Sequence, residues 1–130
     1  MKTTIKRFIC LALIVMLVSS LTISVSAGSY YLTGTYNGSM YELSDYCDAE
    51  RYSGMVICDS SEYLLKADVA LYGSKYYDYV WHTNQLLLSV KGTLTPLISS
   101  TTGTHNLDVT KAVVEHYVDG HMVYKSSFLP

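Results

Sequence analysis

Apolar and polar residues alternate along much of this chain with a period of two, the spacing of a strand that buries one face. Between Tyr63 and Tyr72 one face carries Leu65, Ala67, Val69 and Leu71, while the other carries Lys66 and Asp68 beside Leu64 and Ala70. From Tyr76 to His82 the same period places Tyr77, Tyr79 and Trp81 on one face and Asp78 and His82 on the other. Turn dipeptides fall between the runs. Asn37-Gly38 separates Ser29–Tyr36 from Ser39–Cys47, and Asp119-Gly120 separates Lys111–Val118 from His121–Phe128. Both suit a type I′ turn, whose two central residues need positive φ. Gly73-Ser74 fits a type II′ turn between Tyr63–Tyr72 and Lys75–Thr83.

Tyr52–Cys58 and Gln85–Lys91 read as weaker strands, and Thr93 to Asn106 as a Ser/Thr-rich loop with one short strand near Leu97. Val109 to Val118 admits a helix capped by Asp108, but its β-branched content and the Asp-Gly that follows favour a strand. Seven to eight short strands joined by tight turns predict an all-β fold, a small antiparallel β-sandwich, with a small β-barrel as the alternative. No helical stripe is present apart from the N-terminal segment.

That segment has the three parts of a secretory signal peptide. Lys2, Lys6 and Arg7 form a basic start, Phe8 to Val18 an unbroken apolar core of 11 residues, and Val25-Ser26-Ala27 a small-residue cleavage site. The expected cut lies between Ala27 and Gly28, giving a leader over 1–27 and a secreted domain over 28–130. A membrane anchor needs about 20 apolar residues, and serines and threonines dilute this stretch from Ser19 onward. Cys10 stands at the start of the apolar run, the wrong end for a lipidated cysteine.

Removing the leader changes the charge. Of nine basic residues three leave with it, so six face all eleven acidic ones, a formal net charge of −5. Binding to nucleic acid or to anionic lipid rests on clustered Lys and Arg, so neither partner is expected. The cysteines fall from three to two. In an exported chain Cys47 and Cys58, eleven residues apart, read as a disulfide.

The side chains that carry chemistry are sparse. His116 and His121 fall in one predicted hairpin; if Val118 pairs with His121, His116 faces Val123 and the histidines become diagonal neighbours. A zinc site needs three or four ligands, and no third is visible. The expectation is one histidine near the core, one exposed beside the turn, no metal and no cofactor. Glu42, Asp45, Asp48, Glu50, Asp59 and Glu62 form the densest charge group, expected as a solvated acidic face at one end of the hairpin. It lacks the glycine-punctuated spacing of a calcium loop. There is no Gly-x-Ser-x-Gly turn, so no catalytic residue is assigned and enzyme activity is not expected. Asn37-Gly38-Ser39 matches a glycosylation acceptor, although the turn accounts for the same residues.

All 13 tyrosines lie beyond the leader. Tyr76, Tyr77, Tyr79 and Trp81 crowd around one turn, and aromatic residues exposed together would form a platform for a sugar ring or a protein partner; the ordinary alternative is packing within and on the sheets.

The last hairpin, Ala112 to Tyr124, with the signal peptide and the Ser/Thr/Tyr-biased strand-rich domain, resembles small secreted β-rich proteins of Gram-positive bacteria, many without an assigned function. More distantly, the layout is similar to lactococcin-type bacteriocins, which are also small, exported and β-sandwich in fold. The first resemblance implies a secreted domain and no catalytic residue. The expected function is a secreted non-enzymatic module that binds a carbohydrate or a protein. The alternatives are a bacteriocin-like antagonistic protein and a small secreted hydrolase.

Overall fold

In the computed structural model the described residues are 28–130; the expected leader, 1–27, lies outside them. Two antiparallel sheets face each other, and no helix occurs among the described residues. The strands are β1 (Ser29–Tyr36), β2 (Ser39–Cys47), β3 (Arg51–Cys58), β4 (Leu64–Tyr77), β5 (Val80–Val90), β6 (Thr95–Pro96), β7 (Ile98–Thr104), β8 (Val109–Val118) and β9 (His121–Phe128). One sheet runs β1-β2-β3-β7; the other runs β5-β4-β8-β9, with β6 beside β4. The β-sandwich follows from the period-two pattern, because each sheet has one apolar face to cover.

The core forms where those faces meet. Leu43 and Val56 of the first sheet pack with Leu65, Val69, Leu71, Val114 and Val118 of the second. Burying each such side chain contributes about 1.5–3 kcal/mol relative to exposure. Gly54 marks a close approach of the sheets, since a Cβ there would lie 2.7 Å from a Val114 methyl and 3.0 Å from one of Val69. Two tyrosines cover glycines on neighbouring strands: Tyr41 lies over Gly34 and Tyr52 over Gly103, each its cross-strand partner. Those tyrosines are 8 % exposed, so part of the tyrosine content fills the space that glycine leaves in a sheet.

The Asn37-Gly38 and Asp119-Gly120 turns form as expected, with positive φ at all four residues. Gly73-Ser74 does not turn. β4 runs straight through it to Tyr77, and the reversal falls at Asp78-Tyr79, with φ of 50° and 62°. The reason lies in the contact at Gly73, where a Cβ would meet the Asp108 carbonyl oxygen at 2.0 Å. This glycine serves close passage of the β7–β8 loop. Lys75–Thr83 and Gln85–Lys91 are consequently parts of one hairpin, and β5 absorbs the mismatch with irregular pairing at two places, one beside Asn84 at φ 53°. The Ser/Thr stretch expected as a loop supplies β6 and the edge strand β7.

The expected disulfide is absent: Cys47 and Cys58 are free and buried. Cys47 pairs with Tyr52 beside the β2–β3 turn, whereas Cys58 pairs with Tyr41 at the far end of the same ladder. Six residues of strand separate Cys58 from the level of Cys47, about 20 Å at strand rise. A disulfide needs Cα atoms within about 7 Å. Closeness in sequence here means separation in space, because an extended hairpin lies between them.

Candidate functional site

Past Gly73, β4 loses its second neighbour. β8 begins at Val109, opposite Gly73, so Lys75, Tyr76 and Tyr77 pair only with His82, Trp81 and Val80. The β4–β5 hairpin therefore leaves the sandwich as a two-stranded ribbon, roughly 10 Å of strand with a tight turn. Its side chains are large, apolar and open: Tyr79 is 93 % exposed, Trp81 64 %, Val80 57 %, Tyr76 55 % and Tyr77 40 %. Such an exposed cluster is the informative departure, since contiguous apolar patches are ordinarily covered.

The structure brings the expected aromatic residues together, in a different order from the one expected. Residues paired across strands point the same way, so Tyr76 and Trp81 share one face, with ring centroids 5.3 Å apart and planes at 55°. Tyr77 shares the opposite face with Val80, and its ring stacks on His82 at 3.7 Å and 10°. Tyr79 belongs to neither face because it sits in the turn. The reassignment follows from the moved turn, which shifts every residue after Asp78 out of the simple alternation. Under the Tyr77 ring the His82 Nε2 is buried without a hydrogen-bond partner. Such a group costs about 1–3 kcal/mol, a burden on a ribbon already marginal as an isolated hairpin.

His116 lies in the core, wholly buried, and His121 is exposed against Tyr36, at 6.0 Å between rings. A bulge places Tyr124, not Val123, opposite His116. Its Nδ1 lies 3.1 Å from the Tyr124 carbonyl oxygen, which only accepts, so Nδ1 carries a proton. Its Nε2 lies 2.7 Å from Asp45 Oδ1, and Ser126 Oγ donates to Asp45 Oδ2 at 2.7 Å. Beside them the Tyr30 hydroxyl donates to the Tyr124 hydroxyl at 2.6 Å, and those rings stack at 5.5 Å. Sequence reasoning did not pair Asp45, His116 and Ser126. The available signal was an Asp at an inward position of β2 and a His at an inward position of β8. The serine bonds to the carboxylate and not to the imidazole, so the order is not that of a nucleophile–base pair. All three side chains are sealed from solvent.

The acidic residues do not gather at one end. Asp45 is interior, Asp48 and Glu50 flank the β2–β3 turn, and Glu42 and Asp59 lie near the other end of that hairpin. Tyr46 Oη donates to Asp48 Oδ2 at 2.5 Å, while the amides of Glu50 and Arg51 donate to Oδ1, and this holds the Asp48 carboxyl well below the usual carboxylate range. Cys47 Sγ approaches His105 Nε2 to 4.0 Å, but that nitrogen donates to the Asp48 carbonyl oxygen at 2.9 Å, and its partner Nδ1 accepts from the Leu107 amide. Burial pushes the Cys47 thiol up, away from the thiolate a nucleophile needs. Among the described residues no group of three His, Cys, Asp or Glu side chains could hold a metal ion. Comparisons of the chain with protein-family models, with curated proteins and with solved structures found no match.

Proposed function

We propose that this protein works outside the cell as a non-enzymatic binding module, and that the aromatic ribbon at residues 75–82 is its contact element for a partner protein. The observation that carries this reading is the exposure of Tyr76, Tyr77, Tyr79, Val80 and Trp81 on a hairpin that has left its sheet. Aromatic residues are the side chains that dominate protein-binding energetics, when a partner takes them out of water.

The shape of the ribbon favours a protein over a sugar. A sugar platform needs rings presented flat and side by side, whereas Tyr76 and Trp81 meet at 55° and Tyr77 already stacks on His82. A narrow ribbon with apolar residues on both faces and at its tip suits insertion into a groove. His116, Asp45 and Ser126 are spent on joining the two sheets. Export rests on the leader sequence with its cut at Ala27/Gly28.

The test compares the wild type with a Tyr79→Ser/Trp81→Ser variant for retention of proteins from the culture medium and surface of the producing cells. Lys125→Ser, on β9, is the control. The expected result is one partner retained by wild type and control and lost, by about tenfold or more, in the double variant. Equal retention by all three contradicts the reading.

A further inference from the structure

The outer face of the first sheet carries a second feature, independent of the ribbon. A groove of about 390 Å³ is lined by Tyr46, Arg51, Tyr52, Ser53, Thr102 and Thr104, together with Gly103. That volume falls within the roughly 300–1,000 Å³ of small-molecule sites. Cross-strand pairing builds it: Tyr46 is opposite Ser53, Ser53 opposite Thr102, and Arg51 opposite Thr104.

Three properties define what the groove accepts. Its wall is an aromatic ring, that of Tyr46, which is 38 % exposed. That ring is held in place before any ligand arrives, because its hydroxyl donates to Asp48 and the Arg51 guanidinium sits 5.8 Å from its centroid. Apart from Arg51, the other polar side chains among its lining residues carry neutral hydroxyls, those of Tyr52, Ser53, Thr102 and Thr104. The one cation is already matched, since Arg51 Nη2 lies 3.2 Å from Asp48 Oδ2. A compensated arginine gives an anionic ligand little reason to bind, yet its unused N–H groups still donate.

We propose that this groove binds a neutral sugar ring. The apolar C–H face of the sugar packs on Tyr46 in place of the loose Arg51 contact, 5.8 Å from that ring, and its hydroxyls exchange hydrogen bonds with Ser53, Thr102, Thr104 and the free N–H groups of Arg51. The complementarity is amphipathic, as an aromatic wall and a row of hydroxyls together require. The site is shallow and offers few contacts, so affinity is expected on the order of 1 mM for one or two rings.

The protein's single tryptophan separates this site from the ribbon, because Trp81 lies on the ribbon and the groove has none. The test titrates cellobiose, lactose and N,N′-diacetylchitobiose into isotope-labelled protein, with glucuronate as the anionic comparison, and follows amide shifts and Trp81 fluorescence in parallel. The expected result is saturable shifts at Tyr46, Ser53, Thr102 and Thr104 with at least one neutral disaccharide, and unchanged Trp81 emission. Tyr46→Ala weakens that binding about tenfold or more, and Thr102→Val, which preserves side-chain volume, weakens it measurably in a fold that stays intact. No saturable shift with any of the three, equal binding by both variants, tighter binding of glucuronate, or shifts confined to the ribbon overturns the proposal. Loss of the shifts at Tyr46 and Thr102 alone leaves the proposed protein contact at the ribbon standing, whereas sugar-induced shifts confined to the ribbon count against it.

Discussion

Asp45, on the second strand of one sheet, and His116, on the eighth strand of the chain in the other, meet at 2.7 Å in the middle of the sandwich. Each is sealed from water, and each has a further partner, Ser126 for the carboxylate and the Tyr124 carbonyl for the imidazole. Removing one member strands the others in a low-dielectric interior. Asp45→Ala is expected to cost about 3–5 kcal/mol, and His116→Ala is expected to be comparably severe. Because both changes break one network, the double variant is expected to lose at least about 1 kcal/mol less than the sum of the two. Urea unfolding of the four proteins measures this, and strict additivity would show that the contact does not couple the sheets.

Tyr30 is the alkaline reporter of the same region. Its hydrogen bond to Tyr124, with burial second, pushes it up to about 12, and Glu115 does the same for Tyr117, also to about 12. A tyrosine raised above its unfolded value near 10 adds stability that is full below pH 10 and is lost as pH climbs from there toward 12. Ultraviolet titration is expected to show late-ionising tyrosines, one fewer in Tyr30→Phe, with stability falling across that window. Ionisation of every tyrosine near pH 10 would contradict the Tyr30–Tyr124 bond.

Asp68 reports on the acid side. Burial works against its charged form, but the Gly92 amide and the Lys66 and Lys91 ammonium groups overcome it and lower its pKa. A lowered carboxylate stabilises above its unfolded pKa, near 3.9, and loses that contribution as pH falls through the folded value. Asp68→Asn is therefore expected to destabilise by about 1.5–3 kcal/mol at pH 7, with the gap closing below about pH 4. A gap independent of pH would mean that the charge is not what matters.

Cys47 and Cys58 make a simple chemical prediction. Both thiols are buried and free, so a thiol reagent is expected to find none in the folded protein and two after denaturation without reductant. Two missing thiols in the denatured sample would mean a bond that this hairpin geometry cannot hold.

Much of the fold was legible in the sequence because strands declare themselves by alternation and their turns by Asn-Gly and Asp-Gly. β1, β2 and β9 begin and end where the pattern places them. Gly73 misled for a physical reason: glycine serves tight turns and close backbone approach equally well, and only the Asp108 carbonyl, 35 residues on, shows which applies. The cysteines misled because spacing alone does not say whether a turn or a full strand pair intervenes. The aromatic cluster at Tyr76–Trp81 was visible from composition, but its exposure depends on β8 starting at Val109 and leaving the hairpin uncovered. The Asp45–His116 bond was beyond reach of any local pattern, since 71 residues separate its ends.

Contact between the ribbon and a partner protein can be captured covalently. A photo-reactive phenylalanine analogue placed at Tyr79, the most exposed aromatic position, is irradiated in the protein on its producing cells, beside the same analogue at Lys125. A ribbon that contacts a partner gives a discrete cross-linked protein from position 79 that disappears with Trp81→Ser and has no counterpart from position 125. A product formed equally from both positions, or one unaffected by Trp81→Ser, would contradict it.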